Sequence, residues 1–367
     1  MLYCLYFVVL FSNFLCIWTK KESKVVTWIT FVTIWIIWCG NSDGPDMVNY
    51  LSRYKTILSQ PFELQNIAQS LFFVSLWLGK KCNLTFYAYR GIMTAALLLL
   101  EVKAIRRLTD KVNVVLFFYL TTEFFVEGVQ LRNFFALPFL LWGTVFLVEK
   151  KALWRVKFSV ALMLAVLFHV SFLIYFVYML IPDDLYDIKK VKSLTLYAVC
   201  AFLFFFVARS NLVVVLNVLM RVDKTRATGF SQSQTRFGAF VPVVLQLYAV
   251  AFLYYITMEI SKVKKIVAGQ NEQIQNDERK TLTFLWLSTI TCFFLPLSLM
   301  NLTYYRLIRN ILPITFCGIA IGSRYLKRRT TFMAGTIVYV ILWIWAEFFV
   351  FSGYENIVMP LFKYRLF

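Results

Sequence analysis

Asp43 and Asp46 flank Gly44-Pro45, and from Asp46 the residues Asn49, Tyr50, Arg53 and Tyr54 follow at i, i+3, i+4, i+7 and i+8. This spacing sets a carboxylate, an amide, two phenols and a guanidinium on one face of a short helix. A carboxylate there can serve as a general base, and Arg53 beside it can orient it or touch a phosphate. The plain alternative is a capped surface helix, with Asp43 or Asp46 as the cap. A second group, Gln130, Arg132 and Asn133, opens an apolar run. The free N–H groups of a helix start together with an arginine favour an anion there, whereas a snorkelling arginine is the competing reading.

His169 is the only histidine and sits near the middle of the next apolar run. Ionisable groups at membrane depth are costly, and Arg132 and His169 on consecutive helices joined by the short basic turn 149–157 point to one shared pocket. A lone histidine among aliphatics is ordinarily a satisfied structural residue, so His169 stands second to Asp46 as the base. The last group is basic: Arg221, Lys224, Arg226, Arg236, Arg306 and Arg309. Arg306 and Arg309 lie at i, i+3 and share a helix face. Guanidinium groups suit bidentate binding of phosphate oxygens, as a lipid-linked diphosphate would require, with anionic lipid headgroups as the alternative ligand.

The elements that must position these groups are membrane helices. The chain has 367 residues, is 60% hydrophobic and 19% aromatic, and has a mean hydropathy of +0.70. Its charges collect in short clusters between apolar runs, each near the roughly 20 residues needed to cross a bilayer. The expected fold is therefore all-α: a polytopic integral membrane protein forming a single transmembrane domain over 1–367. The net charge of +19 is not that of a nucleic-acid binder, because the basic residues alternate with apolar spans instead of forming one face or tail. Positive-inside topology accounts for about half of them.

That rule orders the chain. Spans are expected over 2–18, 25–39, 84–101, 112–126, 129–148, 158–181, 240–260, 282–299, 311–323 and 332–351. A broken hairpin over 195–207 and 211–220 brings the count to about 11–12 transmembrane helices. Both termini then lie outside. An outer loop over 40–82 carries the Asp46 face and an interfacial or re-entrant helix at 62–78. A second outer loop runs over 221–238, and the longest cytoplasmic loop over 262–280. The first apolar run lacks a basic leader region and a small-residue cleavage site, so it reads as a retained helix. Gly318 and Gly322 form a GxxxG, which favours close helix contact.

The seven cysteines lie singly, with no CxxC and no Cys/His spacing, so neither a disulfide framework nor a metal site is expected. No phosphate-binding GxxxxGK[ST] loop, HExxH or GxSxG is present, and no cofactor is implied.

Four segments resemble one family. Gly44-Pro45-Asp46-Met47-Val48-Asn49-Tyr50 is similar to the GxDxxxY-type segment in the first outer loop of the EpsG/Wzy polysaccharide polymerases. Gln130-Leu131-Arg132-Asn133-Phe134-Phe135-Ala136 resembles their RQ-x-x-A helix start, and Phe168-His169-Val170-Ser171 their FHxS. Tyr305-Arg306-Leu307-Ile308-Arg309-Asn310 resembles their C-terminal arginine helix. The order and spacing of the segments agree across nearly the whole chain. Asn133 departs from the glutamine that usually follows the arginine.

The resemblance implies a GT-C-like, metal-independent glycosyltransferase. It would join oligosaccharide repeats carried on undecaprenyl diphosphate at the outer face of the bacterial cytoplasmic membrane, with inversion, for capsule, exopolysaccharide or O-antigen. Asp46 or His169 would then be the base, and Arg132, Arg306, Arg309 and Arg236 would hold the diphosphate. Arg53, Tyr50, Gln130 and Asn133 would orient substrate. Donor and acceptor would both be lipid-linked oligosaccharides, with membrane lipids, a chain-length regulator and a flippase as further partners, and no nucleic acid. A flippase for the same lipid is the rival from another class, but such transporters are expected to carry internal repeats, and none is visible. A ligase or O-acyltransferase working on the same class of substrate is the enzyme alternative.

Overall fold

The computed structural model describes residues 2–41, 43, 46–59, 70–182, 184–207, 240–266, 271–300, 302–326, 329–350 and 353–363. The described residues are mostly helical, with no strand. Six helices are long and apolar enough to cross a membrane, and the segments Lys24–Gly40, Val112–Thr121 and Val170–Leu180 are shorter apolar helices. The chain is a polytopic all-α membrane protein. It divides into two compact units, one of residues 1–176 with 340–367, the other of residues 177–339.

The first unit opens with α1 (Leu2–Thr19) and α2 (Lys24–Gly40), the latter capped by Ser23, whose hydroxyl accepts from the Val26 N–H. Their mid-helix polar residues do not face lipid. Asn13 Nδ2 donates to Thr30 Oγ1 at 2.7 Å, and Asn113 Nδ2 donates to Asn13 Oδ1 at 3.0 Å. Asn113 belongs to α6 (Val112–Thr121), and all three side chains are buried. An unmet polar group in the hydrocarbon region costs several kcal/mol, roughly, so these residues choose which helices pack together.

Next come α3 (Met47–Thr56), α4 (Ser70–Lys81) and α5 (Phe86–Leu108). The interfacial helix expected at 62–78 is described only from Ser70, with 60–69 outside the described residues. The span expected to end at Glu101 instead runs on to Leu108 and buries Glu101 to 2% exposure. Helix-forming Lys103, Ala104, Arg106 and Arg107 carry the helix on until the extended Thr109 stops it.

Beyond α6 the backbone breaks at Thr122 (φ −129°, ψ −82°) before the short α7 (Glu123–Glu127). There follow α8 (Leu131–Glu149) and α9 (Trp154–Phe168), a tight hairpin whose turn holds Lys150 and Leu153 at positive φ. The span expected over 158–181 is not one α-helix. It stops at His169, whose extended backbone (φ −150°, ψ 113°) gives way to a 3₁₀ segment over Val170–Leu180.

In the second unit, α10 (Ile188–Val207) starts seven residues before the expected half-hairpin and at 20 residues is long enough to cross. The expected partner arm at 211–220 lies outside the described residues. Then follow α11 (Phe240–Ile266), α12 (Glu272–Thr291) and α13 (Leu312–Gly322), with α14 (Arg329–Trp345) starting in this unit. The loop expected over 262–280 is mostly helix, because α11 runs to Ile266 and Asn271 caps α12. The GxxxG lies against α11: a Cβ on Gly322 would stand 2.6 Å from Ile256. Buried polar groups pair here too, Gln246 donating to the Ser288 carbonyl at 2.7 Å and Tyr178 meeting Thr291 at 2.6 Å.

Candidate active site

The expected polar helix face exists as α3, but it is divided by burial. Tyr54 is 2% exposed, donates to the Leu84 carbonyl at 2.9 Å and stacks on Tyr89, so it is a packing residue. Asn49 and Arg53 are exposed. Tyr50 is 6% exposed and turns inward.

What Tyr50 meets is Arg132. The guanidinium carbon lies 5.9 Å from the Tyr50 ring centroid, and both the side chain and backbone N–H of Arg132 hydrogen-bond the phenol oxygen. Burial pushes the Tyr50 phenol above its ordinary value, against a downward pull from Arg132 and an upward push from the Asp46 carboxylate. Arg53 is held below the usual arginine range, first by partial burial and then by the charge of Arg132. Its guanidinium sits over the Phe73 ring at 5.0 Å. Asp46, Tyr50, Arg53 and Arg132 therefore form one electrostatic group, drawn from a loop helix and a helix start 79 residues or more away in sequence.

Asp46 occupies the N-cap position of α3, yet its side chain makes no capping bond. Its backbone carbonyl accepts the Tyr50 N–H at 3.1 Å, while among the described residues its carboxylate has neither a hydrogen-bond nor an ion-pair partner. Asp43, by contrast, is exposed and paired with Lys363 at 3.6 Å. The capped-helix reading thus fails for Asp46, and its half-buried carboxylate remains available as an acceptor.

Helix α8 begins from a structured approach. Gln130 is its N-cap without a side-chain capping bond, and Gln130 N–H donates to the Val126 carbonyl at 3.0 Å. Asn133, 1% exposed, donates to Glu127 Oε1 at 2.8 Å. The amide where the family pattern has glutamine is thus directed at a buried carboxylate. That makes it a residue that fixes the helix start.

His169 is 4% exposed and at the helix break. The Ser171 N–H donates to its Nδ1 at 3.2 Å, and Ser171 Oγ lies 2.8 Å from the same nitrogen. With Nδ1 accepting, the imidazole proton belongs on Nε2. Phe168, the residue before it, packs on Phe135 and Phe139 of α8. Phe135 meets Phe72, which in turn meets Tyr50. One aromatic wall therefore connects Tyr50 to the His169 break, in the first turns of the helix that bears Arg132.

Arg306 and Arg309 belong to the second unit, on a one-turn helix that follows the 3₁₀ turn Leu302–Tyr305. They are not equivalent: Arg309 is 5% exposed, while Arg306 is half-buried. Arg236, with Arg221, Lys224 and Arg226, lies outside the described residues. The described residues contain no cluster of His, Cys, Asp or Glu able to hold a metal ion.

Two buried ionisable side chains of α5 escaped the sequence reading. Arg90 is 1% exposed and donates to the carbonyls of Asn41 and Gly128, both at 2.8 Å. Among the described residues Glu101 has no hydrogen-bond partner for either oxygen. Their signal was present, a charge inside an apolar run, but both lay in a segment whose length alone satisfied the expectation of a span.

This fold and site define a multi-pass helical membrane protein with a loop carboxylate set beside a buried tyrosine and its half-buried arginine partner. The family model for the EpsG family matches residues 24–366, and the chain belongs to that family. Membership carries a polysaccharide-polymerase type of role. No curated protein and no solved structure matches the chain.

Proposed function

We propose that the protein is an inverting glycosyltransferase that polymerises oligosaccharide repeats carried on undecaprenyl diphosphate, working at the outer face of the cytoplasmic membrane. The observation that carries this reading is the Asp46 carboxylate beside Tyr50 and Arg132, with no side-chain hydrogen bond or ion pair among the described residues. Asp46 takes the proton of an acceptor sugar hydroxyl as that oxygen forms its bond to the anomeric carbon of the donor. The bond from that carbon to the diphosphate oxygen breaks, and the lipid diphosphate leaves with the electron pair. Arg132, at a helix start whose N–H groups also face negative charge, neutralises the leaving group. Tyr50, kept protonated by burial, holds the guanidinium in place. Arg306 and Arg309 are assigned phosphate oxygens of the same class of substrate on their residue type.

The test is elongation of purified lipid-linked repeats by the protein in liposomes. A ladder of lengths is expected from the native chain. Asp46→Asn should slow it about 10²–10⁴-fold, the usual contribution of a positioned base. A native-like ladder from that variant would sink the assignment of the base. A single transfer would mean a ligase, and no covalent change a transporter.

A further inference from the structure

Arg90 is a fully buried cation that the chemistry above does not employ. Its two terminal nitrogens donate to the carbonyls of Asn41 and Gly128, and Nη1 also lies 3.6 Å from the Met47 sulfur. Asn41 is the C-cap of α2 and Gly128 the C-cap of α7. Both carbonyls therefore lie at the negative ends of helices, which stabilise a buried guanidinium. No carboxylate is ion-paired to Arg90 among the described residues. At 1% exposure it does not reach substrate.

Its contacts bracket the site. Asn41 also accepts the Asp43 N–H on its side-chain oxygen at 3.1 Å, and Met47 follows Asp46 directly. Gly128 opens the approach to Arg132. Two other bonds hold the same helices without Arg90: Trp35 donates to the Gly91 carbonyl at 2.8 Å, and Trp38 to the Phe124 carbonyl at 3.1 Å.

We infer that Arg90 is a positioning residue, whose guanidinium fixes the distance between the segment bearing Asp46 and the helix start bearing Arg132. Its part in catalysis rests on the polymerase reading; the clamp itself does not. A planar fork spans two carbonyls from different segments, whereas a lysine ammonium is a point charge that serves one of them. The Trp35 and Trp38 bonds keep the helices assembled when Arg90 is replaced, so the loss is local.

The experiment uses the full chain in liposomes, with spin labels attached by a non-cysteine chemistry at Val48 on α3 and Leu153 in the α8–α9 turn, both strongly exposed. The native protein should give one narrow distance distribution. Arg90→Lys and Arg90→Met should each broaden it at least about twofold, as a loop helix freed from a rigid one samples more positions. An unchanged distribution in both variants overturns the clamp, whatever turnover does. With lipid-linked repeats, Arg90→Lys should lower kcat about 10²-fold and leave the donor KM within about threefold, because Arg132 keeps its helix while Asp46 moves away. Unchanged kcat beside a broadened distribution overturns the catalytic part of the inference. A native protein that elongates nothing removes the polymerase reading alone, and the distance measurement still decides the clamp.

Discussion

The Arg132 guanidinium lies over the Tyr50 ring, 5.9 Å from its centroid, while Arg132 also hydrogen-bonds the phenol oxygen. One aromatic residue thus anchors the cation by its face and its hydroxyl together. The arrangement holds the charge at the start of α8, where a phosphorylated leaving group can be met.

Arg132→Ala should therefore abolish polymer while leaving the protein in the membrane. Removal of one donor to a developing oxyanion costs about 10²–10³-fold in kcat. Arg132→Lys should recover little of this, because the ammonium cannot both stack on Tyr50 and present a fork. Polymer at native levels from Arg132→Ala, measured at equal membrane abundance, would refute the role.

Tyr50 makes a pH-dependent contribution to stability. Its phenol is raised above the ordinary value of 10.0, first by burial. The folded state then holds the proton more tightly than the unfolded chain, so stability is full below about pH 10 and falls as pH rises toward the folded value. Thermal unfolding in detergent between pH 8 and 11 should show a steeper alkaline loss for the native protein than for Tyr50→Phe. Equal slopes would mean that Tyr50 titrates as it does in water.

Much of this site was legible in the residues. The i, i+3, i+4, i+7 spacing marked α3 as a helix, because a helix face is a property of spacing, but not that Tyr50 turns inward while Asn49 and Arg53 stay exposed, which depends on what packs against it. The start of α8 was legible because Arg132 interrupts an apolar run. Arg90 interrupts one as well, but its partners are backbone carbonyls of segments far away in sequence, and nothing local marks them. The break at His169 was hidden for a related reason. Its neighbours are apolar on both sides, so composition continues through a point where a side chain–backbone bond redirects the chain.

That bond separates two roles for His169. Asparagine places an acceptor near the position of Nδ1 and can keep the Ser171 N–H satisfied, but it cannot take a proton. With Asp46 as base, His169→Asn should retain turnover within about tenfold. His169→Ala, which leaves the part-buried Ser171 N–H unmet, should lose about 1 kcal/mol of stability by thermal melt. A 10²-fold loss from the asparagine variant at an unchanged melting temperature would transfer the base to His169.

Gly128 supplies a stability test near the Arg90 contacts. A Cβ there would stand 2.6 Å from Trp38 Nε1 and 2.8 Å from Leu361. Gly128→Ala must displace an indole that is already hydrogen-bonded, and overpacking of this kind costs about 1–3 kcal/mol. A melting temperature equal to that of the native protein would show that the indole yields freely.

The amide–hydroxyl knot of Asn13, Thr30 and Asn113 bears on how the chain is made. Asn13 finds Thr30 as soon as α1 and α2 emerge, but its oxygen waits for Asn113, 100 residues later. The opening hairpin is thus committed to the bilayer with one acceptor still unmet. Synthesis must bring α6 past α3, α4 and α5 before α1 and α2 reach their final seats, so this hairpin enters the membrane well before it can mature.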